Sequence, residues 1–391
     1  MTDVRLKSIL DNDFYKITMQ NAVVKLFPTA RVKYEFINRG KHFFPEGFAE
    51  ELRKAVDAMA ELKLSKAEKK YLKETCPYLD LPYLDFLEGY HYDPSEVKIV
   101  QENDNLKVCV EGLWYRTILW EVPLLALISE LHYCMNKMER DSNSTVVQNT
   151  VEKSKKLNEL GVTFAEFGTR RRHSYKVHQL VMEALMAEKG QFIGTSNVHF
   201  AMKFGVKPIG THAHEWFMFH AAEYGFKMAN QLALEHWVDV YRGDLGVALS
   251  DTYTTEVFFR QFDKKFAKLF DGVRHDSGDP IDFAKKTIEH YERFGINPNF
   301  KYIIFSDGLN LEKVEEITHA TRGTIGISFG IGTNLTNDVG LKPMNIVMKL
   351  IGVQAPNGEW IPTVKLSDER GKYTGEPKMI ELAKEVLRIK D

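Results

Sequence analysis

Two hydrophobic periods alternate along the first third of the chain. "FYKITMQNAVVKLF" carries apolar residues at helical spacing and stops at Pro28, whereas "RVKYEFINR" alternates as a half-buried strand does. "EGFAEELRKAVDAMAELKL" predicts an amphipathic helix, and "SEVKIVQENDNLKVCVEG" predicts two strands around a turn at Asn103 to Asn105. "EVPLLALISELHYCMNKM" starts a further helix with Pro123 in its first turn. These elements together read as an α+β domain.

From about residue 150 the pattern becomes a recurring unit: a short apolar strand, a polar turn containing small residues, then an amphipathic helix. The strand ends read "TFAEFGTRRR", "QFIGTSN", "KPIGTHAHE", "GVALSDT", "GVRHDSGDP", "YIIFSDG" and "GISFGIGTN". Helices follow in "SYKVHQLVMEALMAEKG", "DFAKKTIEHYERFG" and "LEKVEEITHATRG". Alternation at this spacing implies βα units and parallel strands. Strands that all end in chemically capable residues favour a barrel, which gathers its loops on one face; an open doubly wound sheet is the alternative. In the tail "NIVMKLIGVQAPNGEWIPTVKLS", Asn357-Gly358 marks a hairpin between strands expected to pack on the N-terminal domain.

Composition narrows the function classes. Of 391 residues, 44% are hydrophobic and 27% charged, which suits a chain folded throughout, and the length implies two domains or one barrel with an appendage. Fifty-two basic against fifty-four acidic residues leave a net charge of −2, so nucleic acid and anionic membranes are not expected partners and any anion site is local. Three cysteines without a CxxC pair argue against a disulfide framework and for a reducing, cytoplasmic setting. The N-terminal "MTDVRLKSILDND" lacks the apolar core of a signal peptide, and no apolar run is expected to be long enough to span a bilayer.

The candidate chemistry sits at the strand ends. "GTHAHEWFMFH" crowds His212, His214 and His220 around Glu215 in a chain with 13 histidines. Its His-x-His pair could open an amidohydrolase-type zinc site, although only His275 offers a later histidine ligand. "RHDSGDP" holds Asp276 and Asp279 beside small residues, as a magnesium-bound polyphosphate or ribose diol requires, while an Asp N-cap is the commoner use of such a turn. "FSDGLN" offers Asp307-Gly308, and "SFGIGTN" offers Gly330, Gly332 and Thr333, where backbone can approach a phosphate closely. Arg170 to Arg172 in "FGTRRRHS" put positive charge at a helix start, where a bound anion would offset it. Phe14 and Tyr15 in "DNDFYKITM" read as core aromatics on a helix.

As an ordered set, "DNDFYKITM", "FGTRRRHS", "IGTSN", "GTHAHEWFMFH", "RHDSGDP", "FSDGLN" and "SFGIGTNLTND" closely resemble the nicotinate phosphoribosyltransferase family, over nearly the whole chain. The resemblance implies an α/β fold: an irregular (β/α) barrel of parallel strands over residues 136–344, an N-terminal α+β domain over 1–135, and C-terminal strands and a helix over 345–391 completing that domain. It implies that nicotinate and 5-phosphoribosyl 1-diphosphate give nicotinate mononucleotide and pyrophosphate, the first step of NAD salvage from nicotinate. ATP hydrolysis is coupled through a phosphohistidine, which maps to His214, leaving His212 and His220 to positioning or packing. Asp276 and Asp279 would handle the ribose and a Mg²⁺ ion brought by the phosphoribosyl donor, with Asp276 also catalytic and Arg274 contacting pyrophosphate or ring. Asp307, Gly308, Gly330, Gly332 and Thr333 would hold the 5-phosphate and ribose. Phe167, Arg170 and Ser196 would build the pyridine pocket with Tyr15 of a second subunit, which implies a homodimer with shared active sites. A zinc-dependent barrel hydrolase is the alternative reading.

Overall fold

The structure, a computed structural model, describes residues 4–188 and 190–389. The chain forms two compact units: Met1–Glu159, Phe164–Gly210 and Ile331–Lys349 make one; Leu160–Thr163, Thr211–Gly330 and Leu350–Asp391 make the other.

In the first unit, the helix Phe14–Leu26 ends at Phe27, before Pro28, as the expected break requires. Strand β1 (Arg31–Asn38) pairs antiparallel with β3 (Asn105–Leu113), which pairs antiparallel with β2 (Val97–Glu102). The β2–β3 turn falls at the expected asparagines. Along β3, buried residues Leu106, Val108 and Val110 alternate with outward polar ones, the period-two pattern of a sheet with one face packed. Three parallel strands follow in the order β6-β5-β4: β4 (Thr163–Glu166), β5 (Phe192–Thr195) and β6 (Lys207–Pro208).

One expectation is corrected here. The helical stretch Trp114–Met135, 22 residues, is long and apolar enough to cross a membrane. It is a core helix instead: 83% of its most apolar window is buried inside the protein. Burial on nearly all sides explains why it lacks a polar stripe.

In the second unit, β7 (Arg242–Leu245) precedes four parallel strands in the order β11-β10-β9-β8: β8 (Val247–Leu249), β9 (Gly272–His275), β10 (Tyr302–Phe305) and β11 (Gly326–Ile331). The helix Pro280–Arg293 follows β9, and Leu311–Thr321 follows β10, each capped by a side chain, Asp279 and Asn310. Strand β12 (Ile346–Gln354) pairs antiparallel with β13 (Trp360–Pro362) across the expected Asn357-Gly358 turn, where Gly358 takes φ +88°. The fold is therefore α/β, with seven parallel strands alternating with helices and a separate antiparallel set, of the class expected.

Candidate active site

Parallel register alone lines up the second unit's chemistry. Leu249 pairs with Arg274, and His275 pairs with Phe305, so the positions just past the strand ends, Asp251, Asp276 and Ser306, fall side by side. This is the carboxyl edge of a parallel sheet, where such folds bind ligands. His214 joins them as the first residue of the helix His214–Tyr224.

The imidazole is held at both nitrogens. Nε2 lies 3.0 Å from Asp276 Oδ2, and Nδ1 lies 3.0 Å from Thr252 Oγ1. A carboxylate can only accept, so Nε2 carries the proton and Nδ1 keeps its lone pair beside the threonine hydroxyl. Burial, and then the charge of Lys365, push the His214 pKa down to about 4, outweighing the two aspartates that oppose them. The ring is thus neutral at physiological pH, as a helix N-terminus also favours.

Asp276 is braced as well: its Oδ1 accepts from Ser306 Oγ at 2.8 Å and stands 3.4 Å from Arg274 Nη2. Burial would raise its pKa, but Arg274 and the His214 hydrogen bond hold it well below the usual carboxylate range. Arg274 Nε in turn donates to Ser306 Oγ at 3.1 Å. Asp251 accepts from Ser277 Oγ at 2.5 Å through Oδ2, while its buried Oδ1 has no hydrogen-bond partner and lies 3.7 Å from His214 Nε2. Ligand atoms of His214, Asp251 and Asp276 all lie within 4.8 Å of one another.

The two aspartates of the expected metal pair are placed differently. Asp279 is exposed, and its Oδ1 accepts from the Asp282 N–H at 2.7 Å as the N-cap of Pro280–Arg293. Asp251 stands beside Asp276 in its place. The zinc pair is also not formed: His212 Nε2 accepts from the Leu249 N–H at 3.2 Å, and neither His212 nor His275 belongs to the metal-capable group found among the described residues. His220 is packed, with Nδ1 2.6 Å from Trp216 O. Gly278, at φ +82°, donates its N–H to Glu369, and Asp307 pairs with Lys372 at 2.8 Å beside Gly308 at φ +56°. Gly330 is buried near the end of β11.

The remaining expected residues belong to the first unit. Arg170 lies 6.0 Å from the centroid of the Tyr15 ring, 3.5 Å from Glu121 Oε1 and 3.9 Å from Asp13 Oδ2. This contact is made within one chain. The Ser196 hydroxyl donates to Asp13 Oδ1 at 2.7 Å, a carboxylate of its own chain. Burial raises the Asp13 pKa against the pull of Arg170. Glu121 is also bound to the fully buried Lys16, at 2.6 Å. Phe167, half-buried, donates its N–H to Ile331 O, and a Cβ on Gly332 would stand 3.4 Å from Phe167 O, so the chain passes closely there. Thr333 begins the short helix Thr333–Thr336.

The model of the nicotinate phosphoribosyltransferase (NAPRTase) family matches residues 162–391, and that of its N-terminal domain matches residues 10–129. The chain belongs to the nicotinate phosphoribosyltransferase family. It is 62% identical over 385 residues to the nicotinate phosphoribosyltransferase of Chromohalobacter salexigens, covering 98% of this chain and 99% of that one. It is 45% identical over 397 residues to that of Methanococcoides burtonii, covering 97% and 96%. The crystal structure of nicotinate phosphoribosyltransferase from Porphyromonas gingivalis superposes with a TM-score of 0.96 at 48% identity, covering 98% of this chain and 100% of the other. That from Vibrio cholerae gives 0.92 at 35%, covering 100% and 96%. The protein is accordingly a phosphoribosyltransferase enzyme.

Within this nicotinate phosphoribosyltransferase fold, the sequence expectations missed Asp13, Asp251, Thr252, Ser306 and Lys365. Asp251 had a signal, because "ALSDT" ends its strand as "VRHDS" and "IIFSD" end theirs. Lys365 had none, being brought to Asp251 by the C-terminal chain.

Proposed function

We propose that this enzyme joins nicotinate to 5-phosphoribosyl 1-diphosphate, releasing pyrophosphate and nicotinate mononucleotide, and couples the transfer to ATP hydrolysis through phosphorylation of His214. The observation that carries the coupling is the neutral, doubly held imidazole: Asp276 fixes the proton on Nε2, and the Nδ1 lone pair is left to attack the γ-phosphoryl group. As the N–P bond forms, the bond to the ADP oxygen breaks and its electron pair leaves with ADP. The ring then carries positive charge with its proton still at Nε2, where the Asp276 carboxylate offsets it. Water later takes the phosphoryl group and returns His214 to its starting state.

Asp276 thus serves the histidine and, with Arg274, faces the phosphoribosyl donor. Mg²⁺ fits this site on the chemistry of its donors: a buried Asp251 oxygen without a hydrogen bond and an Asp276 carboxylate suit a hard cation. Asp251 and Asp276 would hold the ion, which supplies neutralising charge to the polyphosphate. Asp307, Gly308, Gly330, Gly332 and Thr333 are assigned to ribose and phosphate. Tyr15, Phe167 and Arg170 are assigned to the pyridine ring, with Arg170 the cation for its carboxylate and Ser196 acting through Asp13. A homodimer and a cytoplasmic place in NAD salvage complete the reading.

Purified protein incubated with nicotinate, 5-phosphoribosyl 1-diphosphate, Mg²⁺ and ATP should form nicotinate mononucleotide together with ADP. Product formation without any ATP-dependent increase would remove the coupling from the proposal, and no product would remove the activity.

A further inference from the structure

Phosphorylation of His214 would bring new negative charge among the charged side chains around it. Asp251 and Asp276 face Arg274 and Lys365, and a phosphoryl group adds about two negative charges. Lys365 is the cation with donors to give. Its side chain is 6% exposed, yet its nearest ion-pair partner, Asp251 Oδ2, stands 3.6 Å away, and no hydrogen bond engages Nζ among the described residues. An ammonium has three N–H donors, and with Asp251 only at ion-pair distance they can serve an anion that enters the site. Lys16, the other lysine so deeply buried among the described residues, behaves differently and closes to 2.6 Å on Glu121.

Backbone contacts fix where Lys365 sits. Lys365 and Thr374 exchange two N–H···O bonds, each 2.8 Å, and the Leu366 N–H donates to Thr252 O at 2.9 Å. Thr252 is the residue whose hydroxyl meets His214 Nδ1. The lysine is therefore tethered to the partner of the nitrogen that attacks.

We infer that Lys365 is a phosphate-binding residue for the group that His214 accepts, its ammonium donating to oxygens of the transferring γ-phosphoryl group and then of the phosphoimidazole. This rests on the reading of His214 as phosphoryl acceptor. The N–P bond forms at Nδ1 while the P–O bond to ADP breaks, the electron pair goes to ADP, and no proton leaves Nε2. Lys365 changes only its anionic partner, from Asp251 alone to Asp251 and the phosphoryl oxygens.

The test is the rate of labelling by γ-³²P-ATP in wild type, Lys365→Met, Lys365→Arg, Asp251→Asn, and the double variant Lys365→Met/Asp251→Asn, with folding checked by thermal melts. Lys365→Met should slow labelling about a hundredfold, as loss of a donor aimed at transition-state charge does. Lys365→Arg should restore most of the rate. The double variant, which removes both charges and so buries neither alone, should label far more slowly than Asp251→Asn alone, which loses the carboxylate but keeps the ammonium. A double variant that labels as fast as Asp251→Asn alone would show that Lys365 only neutralises Asp251, and would overturn the inference, as would a Lys365→Met variant of wild-type rate. An unlabelled wild type would instead overturn the acceptor role of His214, a failure distinguishable from that of the lysine.

Discussion

A histidine that accepts a phosphoryl group must keep a lone pair at working pH, and His214 does so by position. Its pKa is held near about 4 by burial and Lys365, so the usual value of 6.5 does not govern its reactivity. Because kcat/KM reports groups of the free enzyme, ATP-dependent labelling should stay level from pH 8 to about 5 and fall only near pH 4. An acid limb near 6.5 would mean the imidazole is solvated, contrary to the geometry. Asp276→Asn removes the carboxylate that offsets the phosphorylated ring. It should lower kcat/KM about a hundredfold, roughly 2.7 kcal/mol, with the melting temperature little changed. A variant that fails to fold would show Asp276 to be structural. Chemistry-bearing residue types at strand ends were legible in the sequence, which is where His214, Arg274 and Asp276 lie, while the roles expected of them came from the family resemblance. Which carboxylates meet was not legible, because Asp279 and Asp251 occupy similar turns and only the fold turns one to a helix cap and the other to the imidazole.

Elements were legible wherever a period was long enough to count. The strand pair β2–β3 and the helices Pro280–Arg293 and Leu311–Thr321 follow from their patterns, while β6 is only Lys207–Pro208 and rests on its neighbour for definition. Register then did what pattern could not, setting Asp251, Asp276 and Ser306 in a row. The N-cap assignment of Asp279 has its own test. Asp279→Ala should cost about 1 kcal/mol of stability, seen as a lowered melting temperature, and leave labelling of His214 near wild type. A hundredfold loss of labelling at unchanged stability would return Asp279 to the site.

At the scale of the whole molecule, buried histidines set the response to acid. Burial lowers the pKa of His132, His173 and His214 to about 4, and of His212 and His220 to about 3. Unfolded histidines titrate near about 6.5, so between that pH and about 4 the unfolded chain binds more protons and acid favours it. The melting temperature should therefore fall steadily as pH drops from 6.5 towards 4; a level profile across that window would show these rings to be solvated. The membrane-length helix Trp114–Met135 teaches a related lesson, since length and apolarity were in the sequence but its burial among other elements was not. The central claim, that His214 carries the phosphoryl group which couples ATP to nicotinate transfer, is tested most directly by labelling with γ-³²P-ATP and mapping the labelled peptide. The account predicts an acid-labile phosphate on His214, absent from His214→Asn; label that persists in His214→Asn, or that maps to His212, would contradict it.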